Sequence, residues 1–278
     1  MTYHQKLQRA VTSSNSLLCV GLDPLPERIP APLRERFPEP AQLLAEFCRR
    51  VIQATQTTCC AYKPNLAFFE AYGTEGWHAF ERVLDAIPSN KIVIADAKRG
   101  DIGTTAARYR TAFFDRLGVD AITLNPLMGL DTLAPYLNAP ERGVYVLALT
   151  SNPGAADFLN REDEPRPLSV RIADALQALQ NDSETTLGMV VGATQTARAQ
   201  QVVDAFTDAP LLIPGIGAQG GRVDDLERLL AGHRGIPLIS SSRSILYAGQ
   251  NEPDWEERVA RAAQTITETL TPITERYA

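Results

Sequence analysis

The stretch Ile94-Ala95-Asp96-Ala97-Lys98-Arg99-Gly100-Asp101-Ile102-Gly103-Thr104-Thr105 sets an apolar, strand-like run against two carboxylates and a lysine. Side chains of a strand alternate between its faces, so the spacing predicts that Asp96 and Lys98 point the same way while Ala95 and Ala97 face the opposite layer. Asp101 follows in the loop. A charge in an apolar interior costs several kcal/mol unless it is paired, so an Asp-x-Lys-x-x-Asp cluster is either a self-satisfied ion network or a site of chemistry. Structural networks also perturb titration, and the stretch by itself leaves both readings open.

Working outward, similar runs recur along the chain: Leu17 to Asp23, Cys59 to Asn65, Lys91 to Lys98, Ala121 to Leu127, Gly143 to Thr150, Leu187 to Thr194, Pro210 to Gly217 and Pro237 to Arg243. Between them lie stretches with helical spacing of apolar residues, such as Leu43, Leu44, Phe47, Val51 and Ile52, or Ile172, Ala173, Leu176 and Leu179. The strands are almost continuously apolar, which predicts a parallel sheet covered on both faces. Eight alternating strand and helix units predict an α/β fold closed as a TIM (β/α)8 barrel, with residues 1–278 forming a single domain. An open doubly wound sheet would need a Gly-rich turn after its first strand, and Gly21-Leu22-Asp23-Pro24-Leu25-Pro26 carries no G-x-G-x-x-G. The segments Pro24 to Pro40 and Ser151 to Pro167 read as long connecting loops, the second with the length of a lid or binding loop.

Composition narrows the function classes. The chain has 278 residues, 44 % hydrophobic and 22 % charged, with a formal net charge of −6. That balance offers no basic stripe for a nucleic-acid backbone, so any phosphate site must be local. The N-terminus lacks the apolar core of a signal peptide, and no stretch approaches the roughly 18 apolar residues of a membrane span, so the expected location is cytoplasmic. The four cysteines, Cys19, Cys48, Cys59 and Cys60, form no C-x-x-C pair and accompany only three histidines, so no metal site is expected. They read as reduced packing residues, with Cys19 and Cys59 facing inward beside the strand-end charges.

In this register Asp23, Lys63, Asp96, Lys98, Asn125, Ser151, Thr194, Gln219 and Arg243 fall at or just past the carboxyl ends of their strands, the end at which such barrels carry chemistry. Taken singly, Asp23-Pro24 or Asn125-Pro126 could simply shape a turn. The seventh strand runs into Pro214-Gly215-Ile216-Gly217-Ala218-Gln219-Gly220-Gly221 and the eighth into Ser242-Arg243-Ser244. Main-chain N–H groups of a Gly-rich loop together with an arginine fork suit a phosphomonoester.

These motifs, Gly21-Leu22-Asp23-Pro24, Tyr62-Lys63-Pro64-Asn65, Asp96-Ala97-Lys98-Arg99-Gly100-Asp101-Ile102, the loop from Pro214 to Gly221 and Ser242-Arg243-Ser244, occur across residues 17 to 245 in the order found in the orotidine 5′-phosphate decarboxylase family, which the chain resembles. Its length is similar to that of the family's longer bacterial branch. The resemblance implies conversion of orotidine monophosphate to uridine monophosphate without a cofactor, in pyrimidine biosynthesis. It implies Lys98 as proton donor to C6 of the pyrimidine, with Lys63, Asp96 and Asp101 completing an alternating charged array. It further implies a homodimer in which Asp101 acts in the neighbouring subunit's site. Asp23, Lys63 and Thr105 would hold ribose hydroxyls, Ser151 the pyrimidine amide edge, and Gln219 with Arg243 the phosphate; Ser242 would be a further substrate-binding residue.

The chemistry agrees with that division of labour. Loss of carbon dioxide from C6 leaves a carbanion with no carbonyl positioned to delocalise it, and a fixed ammonium is the natural stabiliser and acid. Two lysines and two aspartates also sum to zero charge. Three rivals remain at this point. A relative with a similar motif could work on sugar phosphates through a Mg²⁺-stabilised enediolate, which would need two free carboxylates. An aldolase could use Lys63 or Lys98 as an imine. A catalytically silent phosphate-binding barrel would leave the charged cluster without a purpose, since an apolar replacement is often as stable.

Overall fold

The strands are β1 (Leu18–Leu22), β2 (Ala61–Pro64), β3 (Ile92–Arg99), β4 (Ala121–Leu124), β5 (Gly143–Leu149), β6 (Thr186–Val191), β7 (Leu211–Pro214) and β8 (Pro237–Ser241). They close into a parallel barrel in chain order, β1 to β8, in a computed structural model that describes residues 1–161, 166–192, 196–215 and 223–278. Every residue of β1, β2, β4 and β8 is buried. That is why these strands read as continuous apolar runs rather than as alternating ones. No helix among the described residues is long and apolar enough to cross a membrane.

Contacts divide the chain into two compact units. One comprises Arg9–Ala97 with Ser240–Ala278. Here the register sets Gly21 opposite Lys63. A β-carbon on Gly21 would lie 2.8 Å from Cβ of Ser242, so glycine is needed for β1 to come this close to the end of β8. Helix Pro40–Thr55, opened by a proline whose fixed φ suits a first turn, buries Leu43, Leu44, Phe47, Cys48, Val51 and Ile52. Its Phe47 stacks on Trp255 of helix Trp255–Thr269 with ring centroids 5.5 Å apart.

The other unit comprises Met1–Gln8 with Lys98–Ile239. Tyr3 and Tyr145 meet edge to face and share a hydroxyl hydrogen bond of 3.0 Å. Helix Leu168–Gln180 buries Ile172, Ala173 and Leu176 of the predicted apolar face, together with Val170, while Leu179 is half-buried.

Two expectations need correction. The proline-rich segment after β1 is not plain loop: it holds a 3-10 turn, Pro26–Arg28, and a short helix, Ala31–Arg36. Prolines near the start of each are compatible with helical φ, so the same residues that read as breakers act as initiators. The segment from Ser151 likewise carries a helical turn, Ala155–Phe158. All four cysteines are buried free thiols, but Cys59 precedes β2, and its carbonyl accepts a hydrogen bond from Lys91 Nζ at 2.8 Å.

Candidate active site

Four of the expected site residues converge in the unit formed by Arg9–Ala97 and Ser240–Ala278. Lys63 on β2 and Asp96 on β3 come together because the ends of these strands are paired, with a bridge between Asn65 and Asp96. The Lys63 Nζ atom donates to Asp96 Oδ2 at 2.7 Å and stands 4.0 Å from Asp23 Oδ1. Lys63 is 7 % exposed and Asp96 8 %, so the pair has little solvent to screen it. Burial opposes the Lys63 ammonium, but Asp96, then Asp23, outweigh it and hold the amine above its ordinary range. Cys19 packs in the same region; burial pushes its thiol up to about 12, leaving it a neutral filler at physiological pH.

Asp23 is fixed from two sides. Ser242, just past β8, donates its hydroxyl to Asp23 Oδ2 at 2.5 Å. Tyr247 donates its hydroxyl to the Asp23 carbonyl at 2.9 Å and accepts from the Leu25 amide at 2.8 Å. The Tyr247 ring meets the Arg28 guanidinium, 4.0 Å from its centroid, and the stacked ring of Phe47 at 6.3 Å. Asp23 Oδ1 is buried and has no hydrogen-bond partner, so a buried acceptor stands ready for a donor. Arg243 follows Ser242 directly and is exposed.

The second unit carries Lys98, Asp101, Thr105 and Ser151. Lys98 adopts φ +48°, the left-handed region that a residue with a β-carbon rarely occupies. This departs from the sequence reading, because strict alternation of Asp96 and Lys98 presupposes an extended backbone through both. Asp96 is buried, whereas Lys98 is exposed. The Lys98 amide donates to Thr123 Oγ1 at 2.9 Å, and the Asn125 amide to the Arg99 carbonyl at 2.8 Å. Asp101 is half-buried and accepts from the Ile102 amide at 2.8 Å. Thr105, in the first turn of helix Gly103–Arg110, is exposed; Ser151, just beyond β5, is half-buried. Gln219 and Thr194 lie outside the described residues.

Two contributors escaped the sequence reading. Tyr247 sits four residues past Arg243, beyond the last motif residue that the sequence singles out. Thr123 is the lone hydroxyl in the apolar run Ala121-Ile122-Thr123-Leu124, where a β-branched residue needs no further explanation.

Residues 16–257 match the family described as Orotidine 5′-phosphate decarboxylase / HUMPS. An orotidine 5′-phosphate decarboxylase of Herpetosiphon aurantiacus is 44 % identical over 263 residues, covering 94 % of this chain and 96 % of the relative. One from Dehalococcoides mccartyi is 38 % identical over 282 residues, with 100 % of each chain covered. Among solved structures, the OMP decarboxylase of Leishmania donovani superposes with a TM-score of 0.81 at 33 % identity, again over 100 % of both chains.

Proposed function

We propose a cofactor-free decarboxylation for this chain, which belongs to the orotidine 5′-phosphate decarboxylase / HUMPS family. The chain is a carboxy-lyase that takes orotidine 5′-monophosphate to uridine 5′-monophosphate. The bond between C6 and the carboxylate breaks, its electron pair stays on C6, and carbon dioxide leaves. The Lys98 ammonium stabilises that pair and delivers the proton that replaces the carboxylate, after which the amine regains a proton from water.

The observation that carries this reading is the left-handed Lys98, two residues beyond a buried aspartate already joined to a second lysine. Strained backbone at a charged residue points from geometry to function, and the Lys63–Asp96 pair is an uneconomical way to gain stability alone. Asp23 supports the role of a ribose-hydroxyl acceptor, since its Oδ1 is buried without a hydrogen-bond partner. Arg243 is exposed and carries the guanidinium fork suited to the phosphate, a role that by resemblance Gln219 shares, with Ser242 a further substrate-binding residue. Ser151 would read the pyrimidine amide edge, and Thr105 the ribose.

The reading includes a homodimer in which Asp101 serves the partner's site. Ile102 after β3, Leu127 and Met128 after β4, and Leu130 at the start of the 3-10 helix Leu130–Tyr136 are 54 %, 60 %, 56 % and 40 % exposed. Large apolar side chains left in water, Ile102 directly after Asp101 among them, suit burial against a second copy of the chain. The sugar-phosphate rival fits less well: Asp96 is committed to an ammonium, and Asp23 accepts from a serine hydroxyl.

Steady-state kinetics with orotidine monophosphate tests the assignment. Lys98→Ala abolishes turnover even at saturating substrate, whereas Arg243→Ala mainly raises KM. Full kcat in the Lys98 variant would overturn it.

A further inference from the structure

We propose that Thr123 is a positioning residue for Lys98: its buried hydroxyl holds the lysine's main chain in the left-handed conformation that presents the ammonium for proton delivery. The inference rests on Lys98 being the proton donor. Thr123 is 1 % exposed on β4, and its Oγ1 accepts the Lys98 amide at 2.9 Å.

In a regular parallel ladder that amide would donate to a main-chain carbonyl of the neighbouring strand. At φ +48° Lys98 leaves the extended path, and its amide donates instead to the threonine hydroxyl on β4. One residue later a main-chain bond joins these strand ends, Asn125 N donating to Arg99 O at 2.8 Å. Gly100 completes the fit, since a β-carbon there would stand 2.7 Å from the Asn125 carbonyl oxygen. A left-handed lysine persists only where its surroundings over-determine it, and the end of β4 supplies those constraints. A strand threonine that merely packs would have no reason to meet a strand amide turned by a left-handed residue. The flexible lysine side chain starts from a main chain fixed by a buried group, which is how a reacting atom is held within a fraction of an ångström.

Thr123→Val keeps the branched shape and removes the acceptor. The expected result is a kcat lower by about 10- to 100-fold with KM for orotidine monophosphate within about twofold, because small misplacements at a reacting group carry penalties of that order. Thr123→Ser, which restores a hydroxyl, recovers kcat to within about threefold of wild type, although it deletes a packed methyl that a purely structural role would miss. If Thr123→Val does not fold, Thr123→Ala is measured in its place with the same expected split and rescue. Lys98→Ala separates the two levels of the argument. Turnover lost in Lys98→Ala but kept within about threefold in Thr123→Val, or a loss in Thr123→Ser equal to that in Thr123→Val, refutes the positioning role and leaves the donor assignment standing. Wild-type kcat in Lys98→Ala overturns the donor assignment and the positioning role with it.

Discussion

Lys63 and Asp96 form an ammonium–carboxylate contact of 2.7 Å in which each side chain is less than a tenth exposed. Breaking such a pair from one side leaves an uncompensated buried charge, whereas replacing both members with apolar groups is often neutral. Asp96→Ala or Lys63→Ala is therefore expected to lower unfolding free energy by about 3–5 kcal/mol, and Lys63→Met with Asp96→Leu by far less, with all of these variants inactive. Urea denaturation alongside the decarboxylation assay checks it. A double variant that is both stable and active would remove the pair from the mechanism.

Tyr247 holds the Asp23 turn through its hydroxyl while its ring packs on Arg28 and Phe47. Tyr247→Phe removes only the hydroxyl, so stability falls by about 1 kcal/mol while Asp23 loses its main-chain anchor. Since Asp23 is read as a ribose contact, KM rises by roughly 5- to 10-fold with kcat nearly unchanged, of the order expected when one binding hydrogen bond is loosened. Initial-rate kinetics separates the two constants.

His233 is buried and shares a hydrogen bond of 2.9 Å between its Nε2 and the Ala209 carbonyl. Burial draws its pKa down from 6.5 to about 4, against the pull of that carbonyl and Asp208, with Arg234 adding to the depression. The folded state then binds fewer protons than the unfolded one between these values, so stability falls as pH drops from 6.5 towards 4. A gap of that size corresponds to roughly 3 kcal/mol lost across the window. Denaturation midpoints against pH are expected to slope more steeply in wild type than in His233→Gln.

Asp101 lies beside the exposed Ile102 and is assigned to the partner's site. Lys98→Ala and Asp101→Asn proteins are each expected to be inactive, yet each mixed dimer would contain one wholly native site. After subunit exchange at equal concentrations, about a quarter of wild-type activity per protomer should return, the share expected for a two-fold interface. A mixture that stays silent despite exchange would confine Asp101 to its own protomer.

The fold was legible because burial on both faces wrote each strand as an apolar run, and Leu18–Leu22 and Ile92–Arg99 lie where those runs do. Strand ends were less legible: β4 stops at Leu124, and Pro126 has no amide with which to carry the ladder on to Leu127. The charged cluster announced itself through residue type alone, because lysine and aspartate stand out in a buried strand. The conformation of Lys98 did not, because a left-handed φ at a lysine is imposed by Thr123 and Asn125 from another strand. Nor did the tie between Asp23 and Tyr247, which joins opposite ends of the chain.

The central claim is that fixed ammonium and carboxylate groups of the chain alone drive loss of carbon dioxide. Its most direct test follows the ultraviolet absorbance of orotidine monophosphate mixed with protein dialysed against EDTA. The account predicts conversion to uridine monophosphate at the same rate with and without the chelator, and none with Lys98→Ala. Substrate left intact by the chelator-treated wild-type protein, with activity returning on addition of Mg²⁺, would contradict it.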